Sequence, residues 1–392
     1  MSLPHTFFIG RGSVTSYPSP IYAFNAGSDI IFENFGATIA SMVGTTLSAA
    51  KNGLNGAAHH ASWRTNSSRF NVTIAGYQDW LVPVSGVWEL TARGAAGGKN
   101  TSSNYSSNGG AGGGTRARFN LPAGSALRII CGAKGSDENA EGSGGGGGGT
   151  FIFYGSGLAS VGSLNTVANK QFYYGSGTNA QKLSQVLVVG GGGGGGAHSS
   201  TGVNDRVGQP AYAGSESLGG NGRGNHGTGF VENNGLPAGG SNGFGTNGSG
   251  GTPYLQSNGA KGAWSGGGGS GILGDGTEAQ QSSANVGDRS KDYDSGFIGG
   301  SSAGASYGVN GGFGGGGAGS WGGAGGGGYS GGEADYDSGQ NATACGGGGG
   351  GNYINTNFSV ASEGALYVSQ NLNNPAFTSS HGQATIKLIE TL

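Results

Sequence analysis

The sequence predicts a mainly β protein: a β-sandwich, an inserted bundle of extended glycine helices, and a small N-terminal attachment region. Three observations carry this. Glycine fills 95 of 392 positions, yet it comes in blocks, among them Gly144–Gly149, Gly190–Gly196 and Gly346–Gly351. Short strand-like apolar runs bracket those blocks, which linkers built from glycine and serine do not show. The last of these runs, Gln383–Glu390, follows the whole glycine-rich stretch and so returns to complete a sheet begun before it.

In chain order, residues 1–75 differ in texture from the rest. His5–Ile9 reads as a strand and Tyr17–Pro20 as an extended turn. Ile39, Val43, Leu47, Ala50 and Leu54 recur at spacings of three and four, the signature of one helix face over Ala37–Leu54. So short a region has little core of its own. Ile39, Val43, Leu47 and Leu54 are therefore candidates for a face that docks onto a partner, with packing inside a small domain as the alternative. From Asp79 the pattern turns to β. Trp80, Val82 and Val84 alternate, Ser85-Gly86 turns, and Val87–Ala92 returns. Thr115–Leu121, Ala126–Cys131, Thr150–Tyr154 and Gln185–Val189 continue the series, and Ala384, Ile386 and Leu388 share one face of the closing strand. Short strands with regular turn signals point to a sandwich. The boundaries expected are 1–75 for attachment, 76–190 plus 352–392 for the sandwich, and 191–351 for the glycine bundle.

Glycine loses more backbone entropy on ordering than any other residue, so such runs need a reason to be ordered. Extended left-handed helices with three residues per turn direct their N–H and C=O groups outward. Packed side by side, they can bond neighbours on several sides provided that no Cβ intervenes. The preceding strand, ending in Val188-Val189, supplies a template. Collagen is excluded because glycine does not fall at every third position. A net charge of −2 with no basic stripe argues against nucleic acid. No apolar stretch approaches the length of a membrane span. The opening Met1–His5 carries no secretory pattern.

Leu81–Leu90, running on through Ala92–Lys99, resembles the start of the glycine-rich ectodomain region of the anaplastic-lymphoma-kinase and leukocyte-kinase receptors. Val188-Val189 leading into Gly190–Gly196, the blocks around Phe313 and Tyr329, and the closing His381–Lys387 are similar in order, over about residues 77–392. The resemblance implies a tumour-necrosis-factor-like sandwich carrying helices of the polyglycine II type, and no kinase activity. In plan the chain is also similar to tail-fibre tip adhesins of T-even-type phages. In those proteins an N-terminal region attaches to the fibre, and loops between glycine helices meet the host.

Enzyme signatures are absent, and no metal site or cofactor is expected. His59-His60 has no carboxylate or cysteine at ligand spacing. Asp292–Gly296 recurs as Asp335–Gly339, each like the first half of a calcium loop, but neither is followed by the distal carboxylate such loops use. Cys131 and Cys345 read as two buried thiols or one bridge. Tyr105, Tyr254, Trp264, Tyr293, Trp321 and Tyr336 lie on glycine-flanked stretches and are the candidate receptor contacts, since aromatic rings offer contact area at low entropy cost. For these rings, packing over the bundle is the alternative; Trp321 and Tyr329 lie inside glycine blocks, where packing fits best. The function expected is that of a non-enzymatic virion structural protein, a phage tail-fibre or appendage component. It would bind other virion proteins through residues 1–75 and a host-surface glycan or protein through its loops, without membrane insertion. The alternative is a secreted or cell-surface ectodomain that binds a protein ligand.

Overall fold

A computed structural model describes residues 29–34, 42–54, 61–102, 106–139, 142–158, 172–173, 175–197, 247–252, 265–278, 289–302, 308–334, 346–355, 357–360, 363–364 and 381–392. The chain is mainly β, with two antiparallel sheets and few helices. Its strands are β1 (Ile30–Glu33), β2 (Phe70–Ile74), β3 (Tyr77–Leu81), β4 (Gly86–Arg93), β5 (Gly114–Leu121), β6 (Ser125–Ile130), β7 (Thr150–Leu158), β8 (Val186–Gly190) and β9 (Tyr353–Ile354), then the small pair β10 (Ser359–Val360) and β11 (Glu363–Gly364), and finally β12 (Gln383–Thr391). One sheet has the order β1-β12-β4-β5 and the other β2-β3-β6-β7-β8-β9. The closing strand thus does return, lying between β1 and β4 with Ile386 opposite both Ile30 and Leu90.

Alternation decides what each face buries. Ala384, Ile386 and Leu388 of β12 join Trp88, Leu90 and Phe119 on one side of a shared core; Trp80, Leu127, Ile129 and Ile152 come from the other sheet. The two sheets therefore face one another across an aromatic-rich interior in a sandwich-like arrangement, with Trp80 and Trp88 meeting edge to face at 5.6 Å between centroids. The opposite face of the six-stranded sheet is also buried. Tyr77, Ile130, Phe151, Phe153 and Val189 pack there against Tyr293, Phe297, Phe313 and Tyr329 from the glycine-rich region.

The sequence expected residues 1–75 to stand apart as an attachment region, but the described residues among them do not. β1 is hydrogen-bonded into one sheet and β2 into the other. Trp63, on the short helix α2 (Ala61–Arg64), packs between Phe70 at 5.7 Å and Trp80 at 6.0 Å. The helix over Ala37–Leu54 is also corrected. Helix α1 spans only Leu47–Gly53, because Thr46 caps it by accepting from the Ala49 N–H. Residues 44–46 are instead tied to the β2–β3 turn, where the Gly76 N–H donates to the Thr45 carbonyl at 2.7 Å. Val43 precedes the helix and is exposed, while Leu47, Ala50 and Leu54 pack on the chain's own core, so Leu47 and Leu54 are not free to dock a partner. Ile39 and the strand expected at His5–Ile9 lie outside the described residues. A third helix, α3 (Asn179–Ser184), carries a capping box between Thr178 and Gln181.

Glycine runs prolong the strands. Residues 94–98 leave β4, 109–113 enter β5, 132–136 leave β6, 143–149 enter β7, 191–197 leave β8 and 346–352 enter β9. The bundle therefore recruits segments assigned by sequence to the sandwich, as well as residues 191–351. Its hydrogen bonds follow a rhythm of three. Ser143, Gly146 and Gly149 donate to Ser320, Gly317 and Gly314; Gly144 and Gly147 donate to Gly196 and Gly193; Gly145 and Gly148 donate to Ser136 and Ala133. Each N–H of this run is satisfied, and successive donors turn to different neighbours. Run 191–197 behaves alike: Gly192 and Gly195 donate to Gly327 and Ala324, Gly193 and Gly196 to Ala95 and Gly98.

Such contact leaves no room for a side chain. A Cβ on Gly147 would stand 2.4 Å from the Ala95 carbonyl oxygen, and one on Gly193 would stand 2.0 Å from that of Gly110. Both obstacles are backbone, so neither can swing aside. Gly147→Ala and Gly193→Ala are each expected to destabilise the fold by on the order of 1–3 kcal/mol through overpacking. Denaturant unfolding reads this directly; an unchanged midpoint would mean that the runs separate by a methyl's width without cost.

Candidate recognition surface at the distal end of the bundle

The direction of the runs sorts the remaining segments by position. Gly149, Gly190 and Gly113 adjoin the sheets, whereas Gly98, Gly144 and Gly196 sit at the far end and bond one another's runs. At this distal end the chain turns between Lys99 and Asn108, and between Asp137 and Ser143. Asn100 organises the closure. Its backbone exchanges hydrogen bonds with Ser107 at 3.0 and 2.9 Å, its Oδ1 accepts from the Ser102 N–H, and its Nδ2 donates to the Gly142 carbonyl. Asp137 accepts from the Lys99 N–H at 2.9 Å and holds the Lys134 ammonium at 2.6 and 2.7 Å. Ser107 Oγ donates to the Ala197 carbonyl, and Ser143 Oγ to that of Trp321. The end orphans of the runs are thus satisfied by short polar side chains. Lys99, Thr101, Ser106, Asn108 and Asn139 remain exposed, and Trp321 is half-buried among them.

Of the six candidate aromatic residues, the structure describes Tyr293 and Trp321. Tyr105, Tyr254, Trp264 and Tyr336 lie outside the described residues, but the described residues that bracket them share the distal end. Ser102 and Ser106 flank Tyr105 at the Asn100 closure. Thr252, which precedes Tyr254, accepts from the Ala334 N–H, and Ala334 in turn precedes Tyr336. Ser265, after Trp264, begins the run whose Gly267 N–H donates to Ala318. Of the two described candidates, Trp321 lies at the distal end and Tyr293 does not.

Tyr293 is 1% exposed and belongs to the sheet-facing end, so the structure corrects its assignment as a receptor contact. The cause is a buried ion pair that sequence reasoning missed. Arg128 and Asp79 face one another across the β3–β6 ladder and are both fully buried, with a bidentate pair at 2.8 and 3.0 Å. Arg128 also donates to the Tyr293 hydroxyl at 3.1 Å, while Tyr77 donates its hydroxyl proton to the Tyr293 carbonyl at 2.6 Å. Tyr293 stacks on Tyr77 and Phe153, at 5.6 and 4.7 Å between centroids. Burial pushes the Tyr293 phenol up to about 12 despite the adjacent guanidinium. Burial disfavours charge on Arg128 as well, but Asp79 and Tyr293 outweigh it and the guanidinium stays protonated.

The motif around Tyr293 is therefore a plug. Asp292 caps a 3-10 turn by accepting from the Ser295 N–H, and Gly296, at φ +90°, closes it in the left-handed conformation that glycine favours. Asp294 accepts from the Gly175 N–H and pairs with Lys182. These carboxylates are spent on caps and ion pairs, and among the described residues no group of three or more His, Cys, Asp or Glu is placed to hold a metal. The second motif copy, His59-His60 and Cys345 lie outside the described residues. Cys131 is a free thiol in the core, its Sγ donating to the Phe32 carbonyl, and burial pushes its pKa up.

No protein-family model and no curated protein matches the chain.

Asp79→Ala strands a buried guanidinium and is expected to cost about 3–5 kcal/mol of stability. Tyr293→Phe removes one bond to that charge and is expected to cost about 1.5–3 kcal/mol. Equilibrium unfolding of both variants checks the order; equal, negligible losses would exclude the pair as the anchor of this face.

Proposed function

We propose that the chain is a non-enzymatic structural and binding component of a phage virion, a tail-fibre or appendage part that meets a host-surface glycan or protein through the distal end of its bundle. One observation carries the reading. The segments holding Tyr105, Tyr254, Trp264 and Tyr336 leave and rejoin the described fold at the same end as Trp321. Aromatic side chains in the company of Ser, Thr and Asn suit protein or glycan recognition, and each of these segments carries them in its sequence. The runs themselves are read as helices of the polyglycine II type, supported by donors that change partner with a period of three. At about 3.1 Å per residue, a seven-residue run holds such a tip roughly 22 Å from the sheets. The tumour-necrosis-factor-like topology of the sandwich rests on the family resemblance, with two antiparallel sheets as its structural support.

The attachment role expected of residues 1–75 narrows to residues 1–28. Residues 30–33 and 70–74 form strands, and Trp63 fills the core, so removing them would remove part of the fold. Deleting residues 1–28 is expected to prevent incorporation into particles, and cooperative thermal unfolding of the variant separates lost attachment from lost folding. Combined replacement of Tyr105, Tyr254, Trp264, Trp321 and Tyr336 by alanine is expected to weaken binding to host cells by about 30-fold or more, the size of a lost hot spot. Cell binding equal to that of the unaltered chain, in a variant that still melts cooperatively, would refute the distal-end reading. Normal incorporation of the deletion would refute attachment through residues 1–28.

A further inference from the structure

We propose that His381 is an acid-sensitive clamp between the two sheets and the glycine bundle. His381 and Gly382 lead into β12 at the point where strands become runs. The Gly382 N–H donates to the Gly132 carbonyl at 2.9 Å, and a Cβ on Gly382 would lie 2.3 Å from Thr150 Oγ1 and 2.9 Å from the Arg93 carbonyl oxygen. Two residues further along run 132–136, the Lys134 N–H donates to His381 Nδ1 at 3.1 Å. This bond fixes the tautomer, with Nδ1 as acceptor and the proton on Nε2. Lys134 is 4% exposed, so its N–H has little water to turn to.

Protonation would set one N–H against another. The charged groups around the ring act in opposite senses. Glu33 on β1 favours the imidazolium, although its Oε1 already accepts from Gln383 Nε2 at 2.8 Å. The Lys134 ammonium, paired with Asp137, opposes it. Arg93 on β4 lies opposite Gln383 in the ladder. Burial is the largest influence, and it holds the His381 pKa below the ordinary value of 6.5. Since the closed state binds the proton less well than the open state, the clamp is intact above pH 6.5 and is lost as pH falls through the depressed value.

Opening would free the start of run 132–136. The neighbouring bonds there are Ala133 N–H to the Phe313 carbonyl and Gly148 N–H to the Ala133 carbonyl, so the loosened turn belongs to the network that joins the bundle to the sheets. The clamp does not depend on what the distal end binds.

Amide hydrogen exchange on the full chain, corrected for intrinsic rates and followed from pH 8 to pH 5, tests this. Protection at Lys134 and Gly382 is expected to fall with acid by about tenfold for each unit separating the open-state and closed-state pKa. His381→Asn keeps an acceptor near the Nδ1 position and does not titrate, so its protection should be independent of pH. His381→Ala should show the low protection at every pH. Wild-type protection that does not change with pH, or an acid loss retained in His381→Asn, would overturn the clamp. Should His381→Asn fail to fold, the imidazole titration of the wild type decides by NMR: a midpoint at or above 6.5 overturns the proposal.

Discussion

The structure depends on one constraint, the approach of backbone to backbone without an intervening side chain. A strand in a sheet finds hydrogen-bond partners on two sides, and its Cβ atoms stand clear above and below. In run 143–149 the donors turn in rotation to the runs at 314–320, 193–196 and 133–136. Partners on three sides exclude a Cβ in each of those directions, and a carbonyl oxygen about 2 Å from the ideal Cβ position of so many glycines is the geometric record of that exclusion. Each ordered glycine carries an entropy cost on the order of 1–2 kcal/mol from the backbone alone. The strands offset part of it by fixing where each run begins: β4, β5, β6, β7, β8 and β9 all continue into runs, so the network grows from ends already held in register.

The same continuation explains why the central strands of the six-stranded sheet are buried on both faces. Segments that pass through the bundle return to the sheets, and their turns deliver Tyr293, Phe297, Phe313 and Tyr329 onto Tyr77, Phe151 and Phe153. Phe151 and Phe297 stack at 4.3 Å, and Tyr329 stacks on Tyr353 at 4.1 Å. Arg128 and Asp79 occupy the middle of this interface, where a buried charge pair contributes little net energy but penalises any arrangement that leaves either charge unpaired. Their bond to the Tyr293 hydroxyl gives the covering segment a defined seat on the sheet. Bundle and sandwich are thus one packing problem, solved together.

Much of this was legible in the sequence. The strands from Trp80 to Val189 and the return of Gln383–Glu390 were visible because alternation and turn signals are local properties. The glycine blocks suggested close packing over disorder because short apolar runs bracket them. What escaped detection was non-local. Ile30–Glu33 is too short to announce itself, and its partner β12 lies at the other end of the chain. The apolar spacing over Ala37–Leu54 promised a longer helix than Leu47–Gly53, because spacing does not reveal that Gly44 must meet Gly76 and Phe313. Tyr293 looked like an exposed loop aromatic. Its repeated Asp-Tyr-Asp-Ser-Gly setting specifies a capped turn, but only the fold shows Arg128 beneath it.

These constraints also determine where specificity can reside. In run 143–149 each N–H is committed to a neighbouring run, and across the network a side chain larger than hydrogen is excluded at most glycine positions. Side chains that a partner could contact are therefore confined to the ends of runs. The end near the sheets is consumed by the aromatic cover over β6, β7 and β8. The distal end is closed by Asn100, Ser107, Asp137 and Ser143, which satisfy the terminal backbone groups without covering them in apolar surface. A tip built in this way can change its loops without disturbing the network below, because the runs make their contacts through backbone that every glycine supplies. The rigidity of the bundle and the variability available to its tip follow from the same absence of side chains.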